Sequence, residues 1–137
     1  MNTKMFVNLP VKDLKRTKEF FAGLGFAYNP QFTDDNAACM IVGEDNYAML
    51  LVYDFFKTFI PKGKDIADSE KSVESIVSLT AESREKVDEM VDKAIQLGGK
   101  PSGSQDYGWM YERGFEDLDG HLWEIGYMDL SAVPDKM

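Results

Sequence analysis

The feature that most constrains the fold of this chain is an internal repeat. The segments FVNLPVKD, from Phe6, and IVSLTAES, from Ile76, both have the pattern of a β-strand that leads into a helix at a capping eighth residue. Ile76 follows Phe6 by 70 residues. In the later strand segments NYAMLLVY and HLWEIGYMD, Glu124 follows Leu50 by 74 residues. This nearly constant offset indicates two copies of one supersecondary unit.

The residue patterns predict the same order of elements in both copies. The first copy shows a strand, a helix that begins after Asp13 and stops at Gly25, a weaker edge strand in AYNPQFT, and a hairpin formed by NAACMIV and NYAMLLVY. In the second copy a strand in SIVSLTA precedes a helix capped by Ser83 and three strands in PSGSQDY, GWMYERGFED and HLWEIGYMD. We therefore predict an α+β fold made of two βαβββ modules.

The length of 137 residues suits one domain with a substantial buried core. We predict a single domain over residues 1–137, with module one at about 1–58, a connection at about 55–72 and module two at about 73–130. The connecting segment YDFFKTFIPKGK is interpreted either as a mobile lid over a cavity or as a module connection that covers the sheet or joins a dimer interface.

Composition excludes two classes of partner. The formal net charge of −9 and the scattered lysines and arginines leave no basic surface for nucleic acid. The longest apolar runs fall far short of the ~20 residues that span a bilayer, and the N-terminal residues lack the apolar core of a secretory signal. The lone cysteine, Cys39, suits a reducing compartment, so we expect a cytoplasmic protein.

Two motifs carry a resemblance to a known family. VKDLKRTKEFFAGLGF and FEDLDGHLWEI resemble the vicinal oxygen chelate superfamily, which includes glyoxalase I, bleomycin resistance proteins and extradiol dioxygenases. The first motif corresponds to the strand exit, cap and first helix, and the second to the turn and final strand. The resemblance covers nearly the whole chain and implies paired modules whose sheets curl around a cavity, usually within a homodimer.

The resemblance also implies where a metal would bind. In metal-using members, ligands come from the first and last strands of each module, and these places correspond here to Phe6, Leu50, Ile76 and Glu124. Three of these four side chains offer no donor atom, whereas a catalytic zinc, nickel, iron or manganese site takes about three protein ligands. A two-residue slip would substitute the neutral oxygens of Asn8 or Ser78, which are poor ligands for such metals. We therefore expect no metal and no other cofactor.

His121 does not supply the missing donors. Residues 121 and 124 are separated by an odd number of positions, so their side chains should point to opposite faces of the final strand. Glu124 stays a candidate because a carboxylate without a cation would bind a hydrogen-bond donor of a ligand, pair with Arg113, or take up a proton. The alternative for Glu124 is a buried structural hydrogen bond.

A second candidate surface lies in QDYGWMYERGFED. Tyr107, Trp109, Tyr111 and Arg113 share one parity, so along a strand they would form an aromatic wall that ends in a guanidinium group. Such a wall would suit a planar or anionic organic ligand. The alternative is packing of these aromatic residues against a helix or a partner subunit.

These observations leave three functional hypotheses. The first is a metal-independent relative of glyoxalase and bleomycin resistance proteins that binds a small organic molecule, aromatic or anionic, in its cavity. The second is a lyase or dioxygenase-type enzyme that uses Glu124 as a metal ligand or general base, and the third is a purely structural or interaction dimer. The residues predicted to line the cavity are Phe6, Asn8, Leu50, Ile76, Ser78, Tyr107, Trp109, Tyr111, Arg113 and Glu124.

Overall fold

The structure, a computed structural model, describes residues 3–135. The chain forms two compact units, divided between Asp68 and Ser69. Each unit contains a four-stranded mixed sheet with a helix, which confirms the predicted α+β fold with two βαβββ modules. Within the described residues, none of the helices has the length and apolar character needed to cross a membrane.

The first unit contains the four strands and one helix of the repeat, followed by a short helix. Strand β1 (Met5–Val11) leads into helix α1 (Leu14–Gly23), which is followed by β2 (Ala27–Tyr28), β3 (Ala37–Ile41), β4 (Asn46–Val52) and the short helix α2 (Tyr53–Lys57). The sheet order is β1-β4-β3-β2, in which β1 and β4 are parallel and the other pairs are antiparallel. Helix α1 buries the side chains of Leu14, Thr17, Phe20 and Phe21, which recur at helical spacing.

The second unit repeats this arrangement. Strand β5 (Ile76–Thr80) leads into helix α3 (Arg84–Gln96), which is followed by β6 (Lys100–Asp106), β7 (Met110–Glu116) and β8 (Leu122–Met128). The sheet order is β5-β8-β7-β6, with β5 parallel to β8. In both units an edge strand leads into a helix, three more strands follow, and the last of these pairs in parallel with the edge strand. The two units therefore share one topology as well as one element order.

The capping residues predicted from the repeat occupy equivalent places. The Asp13 side chain accepts a hydrogen bond from the Arg16 backbone N–H at 3.1 Å, and the Ser83 hydroxyl accepts one from the Lys86 N–H at 3.1 Å. Each bond satisfies an N–H group that the first helical turn leaves without a partner. The helix starts were therefore encoded locally and correctly predicted.

The segment AYNPQFT departs from its predicted strand. Only Ala27–Tyr28 pairs with β3, and the chain then turns through a short 3₁₀ helix at Pro30–Phe32. Pro30 has no N–H to donate to a sheet, and the Asn29 side chain caps the turn by accepting from Gln31 N–H. This turn places Phe32 beside the first sheet, where 57% of its surface is exposed.

An ion-pair network attaches helix α3 to the far end of β6. The Arg84 guanidinium donates to both carboxylate oxygens of Asp106, at 2.9 and 3.0 Å, and to the Gly108 carbonyl at 3.0 Å. It also lies over the Tyr111 ring, 5.0 Å from the centroid. The Arg84 hydrogen bonds, with a further one from Gly108 N–H, lower the pKa of Asp106 to about 2.

Replacing Arg84 with glutamine should return the pKa of Asp106 towards the usual Asp value of about 3.9. The folded-state pKa lies below the unfolded value, so this pair stabilises the fold at pH values above the usual Asp pKa. The contribution is lost as the pH falls towards about 2. A carboxyl ¹³C NMR titration of both proteins measures the midpoint directly. In the control Lys86→Gln, whose lysine pairs with Glu89, the Asp106 midpoint should not move; an unchanged midpoint in Arg84→Gln would contradict the assignment.

Candidate functional site

The second sheet has one face against helix α3, and its other face, called the open face, carries a group of polar side chains. Ser78 on β5 lies opposite Glu124 on β8, and its hydroxyl donates to Glu124 Oε1 at 3.0 Å. On the other side of β8, Gly114 of β7 lies opposite Glu124. Because side chains alternate along a strand, Glu112 projects from β7 on the same face as Gly114 and Glu124. Two carboxyl groups and one hydroxyl therefore lie together on this face.

Glu112 and Glu124 lie near each other on this face and form a carboxyl pair. Burial raises the pKa of Glu112, and the charge of the neighbouring Glu124 and the hydrogen bond between the two groups raise it further. The Arg113 pairing considered for Glu124 is not formed, because Arg113 pairs with Asp88 and Asp92, while Glu124 accepts from Ser78.

Glu112 is a site residue that the sequence analysis missed. A signal for it was present, because the turn between β7 and β8 is centred on Asp119 and pairs Gly114 with Glu124. A residue two positions before Gly114 then lies diagonally across from Glu124, within reach of a long side chain.

The carboxyl pair borders a small hollow with a volume of about 110 Å³. A register shift between Pro101 and Gly103 on β6 marks a bulge, and it brings the Ser102 hydroxyl over Gly114. A Cβ atom at position 114 would overlap this hydroxyl, so the absence of a side chain keeps the hollow open. The full lining consists of Ser102, Gly103, Ser104, Gln105, Glu112, Gly114 and Glu124.

The predicted aromatic wall is not formed. Tyr107 and Trp109 lie between β6 and β7 rather than within a strand. Tyr111 and Arg113 are on β7, but they face helix α3, where the Tyr111 hydroxyl donates to Asp88 and Arg113 Nη1 contacts Asp88 at 3.0 Å and Asp92 at 2.9 Å.

The reason is the register, since Gly114, and with it the even-numbered residues of β7, lies opposite Glu124. The side chains of Tyr111 and Arg113 therefore leave the face that carries the carboxyl pair. Because two aspartates already bind the Arg113 guanidinium, the reason for expecting an anionic ligand is removed.

The open face of the first sheet is apolar and aromatic. Phe6 on β1 stacks on Tyr47 of β4, with ring centroids 4.8 Å apart and an interplanar angle of 13°. Next to this pair, Phe6, Asn8, Phe32 and Met49 line a hollow with a volume of about 260 Å³. Although these rings are apolar, 49% of the Phe6 surface and 57% of the Phe32 surface are exposed.

Leu50 does not belong to this face. It pairs with Leu9 and is completely buried, on the side of the sheet opposite Asn8 and Met49. The register places Met49 level with Asn8, as it places Glu124 level with Ser78, so Met49 is the first-unit counterpart of Glu124. Ile76, by contrast, shares the face of Ser78 and is 51% exposed.

His121 lies in the turn before β8, where its backbone carbonyl accepts a hydrogen bond from Asp117 N–H and its own N–H donates to the Asp117 side chain. Burial raises the pKa of Asp117, while the hydrogen bonds from Trp123, Asp119 and His121 oppose that shift. These contacts give His121 a place in the turn that precedes the candidate site.

The resemblance implies a metal, so the donor atoms on the two open faces matter. The first sheet presents the Asn8 amide and the Met49 thioether, and the second presents the Ser78 hydroxyl and two adjacent carboxyl groups. Phe6 and Ile76 present no donor. Over residues 3–135, no group of three or more His, Cys, Asp or Glu side chains is arranged to hold a metal ion. This donor set does not fit the zinc, nickel, iron or manganese site that the resemblance implies.

Comparison with known proteins agrees with this architecture. The model of the bleomycin resistance protein-like N-terminal family matches residues 3–43. The chain is similar to a hypothetical protein from S. aureus with 28% identity, over 93% of this chain and 95% of that one, with a TM-score of 0.74. No curated protein matches the sequence.

More distant solved structures share the fold. A glyoxalase/bleomycin resistance protein/dioxygenase family enzyme from Burkholderia phytofirmans has 13% identity over 90% of this chain and 96% of that one, with a TM-score of 0.72. The fosfomycin resistance protein FosX from Mesorhizobium loti has 14% identity over 96% of both chains, with a TM-score of 0.68. The chain therefore has the glyoxalase/bleomycin resistance fold, and its N-terminal segment is similar to the bleomycin resistance protein-like family.

Proposed function

We propose that this protein binds a small organic molecule through an aromatic group that occupies the hollow of the first sheet, and that it does so without the usual metal ligands of the superfamily that it resembles. The observation that carries the proposal is the exposed aromatic lining of that hollow. Phe6 and Phe32 are large apolar side chains left accessible to water beside Met49. Covering such surface with a ligand is favourable by about 25 cal/mol per Å².

The shape and chemistry of the hollow support a planar aromatic ligand. Phe6 is held by its stack on Tyr47, so its ring presents a fixed flat surface to a second ring. Met49 is an unbranched thioether that adapts to ligands of different outline. Asn8 is the single polar side chain of the lining, and its amide offers both a donor and an acceptor that would orient the ligand.

The donor set supports a function without the usual metal. Within residues 3–135, the two carboxyl groups near the hollows are Glu112 and Glu124 on the second sheet, and Glu124 accepts a hydrogen bond from Ser78. The family match at residues 3–43 also includes Phe6, Asn8 and Phe32, three of the four residues of the aromatic hollow. Among the structures that share the fold, FosX is a fosfomycin resistance protein, which is consistent with binding of a small molecule on this fold.

The test is a binding screen with one- and two-ring aromatic compounds, followed by calorimetry of the strongest binder. Phe6→Ala should weaken its binding about tenfold, since an aromatic pair contributes about 0.5–1.5 kcal/mol beyond the area it covers. Phe59→Ala is the matched control, because Phe59 is 66% exposed and contacts Phe55 rather than the hollow. Equal affinities for the wild type and Phe6→Ala would refute the proposed location, and a screen without binders would refute the function.

Two further expectations stay predictions. The homodimer is tested by sedimentation of the purified protein, and the cytoplasmic location by fractionation of the cells that express it.

A further inference from the structure

We propose that the hollow of the second sheet is a separate subsite for an aliphatic ammonium group, for which Glu112, Glu124 and the neighbouring neutral oxygen atoms are the hydrogen-bond acceptors. The inference goes beyond the proposed function, because it assigns a second site, for a different chemical group, to the second unit. It concerns residues of the second unit alone, so it can be tested independently of the aromatic hollow.

The first argument is the charge of the hollow. Its lining contains two carboxyl groups and no lysine or arginine. The two arginines of the same unit are occupied elsewhere, since Arg113 pairs with Asp88 and Asp92, and Arg84 pairs with Asp106. A cationic group in the hollow would therefore meet negative potential without displacing a cation of residues 3–135.

The second argument is the match between acceptors and donors. An ammonium group has three N–H donors and no acceptor, and it forms a compact charge rather than a planar fork. Glu112 and Glu124 provide carboxylate acceptors from two neighbouring strands, while Ser102 and Gln105 provide neutral oxygen atoms from β6. Three donors can thus reach acceptors on different sides of the hollow, with charge-assisted bonds to the carboxylates.

The third argument is size. The volume of about 110 Å³ accommodates a small head group but not a drug-sized molecule. Gly114 lines the hollow without a side chain, and the Ser102 hydroxyl lies where a Cβ atom would be. The hollow is therefore built by the bulge of β6 and by a residue without a side chain, and the carboxyl pair is one wall of it.

The experiment uses n-propylammonium, a probe without an aromatic ring, at low ionic strength so that surface charges are not screened. We expect saturable shifts of the Ser102 and Gly114 amide signals in ¹H–¹⁵N NMR spectra. The neutral isostere n-propanol and the anion propionate should produce no saturable shift. Glu124→Gln should weaken propylammonium binding about tenfold, because one charge-assisted hydrogen bond is replaced by a neutral one.

Glu112→Gln is a second variant with the same expectation, which protects the test against a folding defect in one protein. Glu82→Gln removes a carboxylate outside the hollow and should leave the affinity unchanged. Equal binding of propanol, or full affinity in both glutamine variants, would overturn the proposal. So would Mg²⁺ producing the same shifts at a lower concentration, because the carboxyl pair would then be a divalent-cation site. The Phe6→Ala protein should bind propylammonium normally, so the failure of one proposal is distinguishable from the failure of the other.

Discussion

Replacing Asp117 with alanine should lower the free energy of unfolding by about 4 kcal/mol and the melting temperature by about 15 °C. Asp117 is only 5% exposed, and its carboxylate accepts three hydrogen bonds. Oδ1 accepts from the N–H groups of Asp119 at 2.9 Å and His121 at 3.0 Å, and Oδ2 accepts from Trp123 Nε1 at 3.0 Å. Alanine would remove all three acceptors at once.

The cost is large because the donors that lose their acceptor are buried. An unsatisfied buried donor costs about 1–3 kcal/mol, whereas a donor that water can reach costs much less. Trp123 is completely buried, so its indole N–H has no access to solvent when Asp117 is removed. The same carboxylate thus holds the turn before β8 and the orientation of the largest side chain in the core of the second unit.

Asp34 provides a matched control for Asp117. Its carboxylate also accepts from two backbone N–H groups, those of Asn36 at 2.8 Å and Ala37 at 3.1 Å, but Asp34 itself is exposed. Asp34→Ala should therefore cost about 1 kcal/mol. Chemical denaturation of both variants measures the difference, and equal losses would show that burial of the donors at Asp117 is not the source of its contribution.

The parts of the fold that were predicted correctly depend on local signals. A cap such as Asp13 or Ser83 acts on a backbone group three residues away, so the sequence next to it is sufficient. The repeat of the two modules was likewise visible, because each copy has the same order of periodic segments.

The candidate site was predicted less well because it depends on register between strands. Aligning the ends of the modules placed Leu50 over Glu124, but the ladders place Met49 there. A shift of one residue moves a side chain to the other face of the sheet, which is why Leu50 is in the core. The prediction that Arg113 pairs with Glu124 was wrong for the same reason, because it assigned Arg113 and not Glu112 to the face of the sheet that carries Glu124.

The sequence signal that constrains the site is the turn between β7 and β8. The hairpin turn at Asp119 and Gly120 fixes the pairing of β7 with β8, and hence the two carboxyl groups that share a face. Parity within one strand does not give this information, because it says which residues are together but not which face they occupy. The bulge that brings Ser102 over Gly114 has no clear signal except Gly103 itself, whose φ is 152°.

After Asp117→Ala, the substitution in this turn with the largest expected effect on stability is Gly120→Ala. We expect Gly120→Ala to lower the free energy of unfolding by about 3 kcal/mol, measured by urea denaturation. Its φ of 85° lies in the left-handed region, which costs an alanine about 1 kcal/mol. A Cβ atom there would also lie 2.8 Å from the Ser69 carbonyl oxygen and 3.0 Å from the Glu70 nitrogen, so the backbone would have to move.

Gly63 separates these two causes. Its φ of 93° is similar, but a Cβ atom at position 63 would have no neighbour within 4 Å. Gly63→Ala should therefore cost only the conformational part, about 1 kcal/mol. The excess in Gly120→Ala then measures how tightly the segment at Ser69 and Glu70 packs on the turn, where the Ser69 hydroxyl also donates to the Asp119 carbonyl at 2.6 Å. Equal losses in the two variants would mean that this packing yields to a methyl group without cost, and that the turn is held by Asp117 alone.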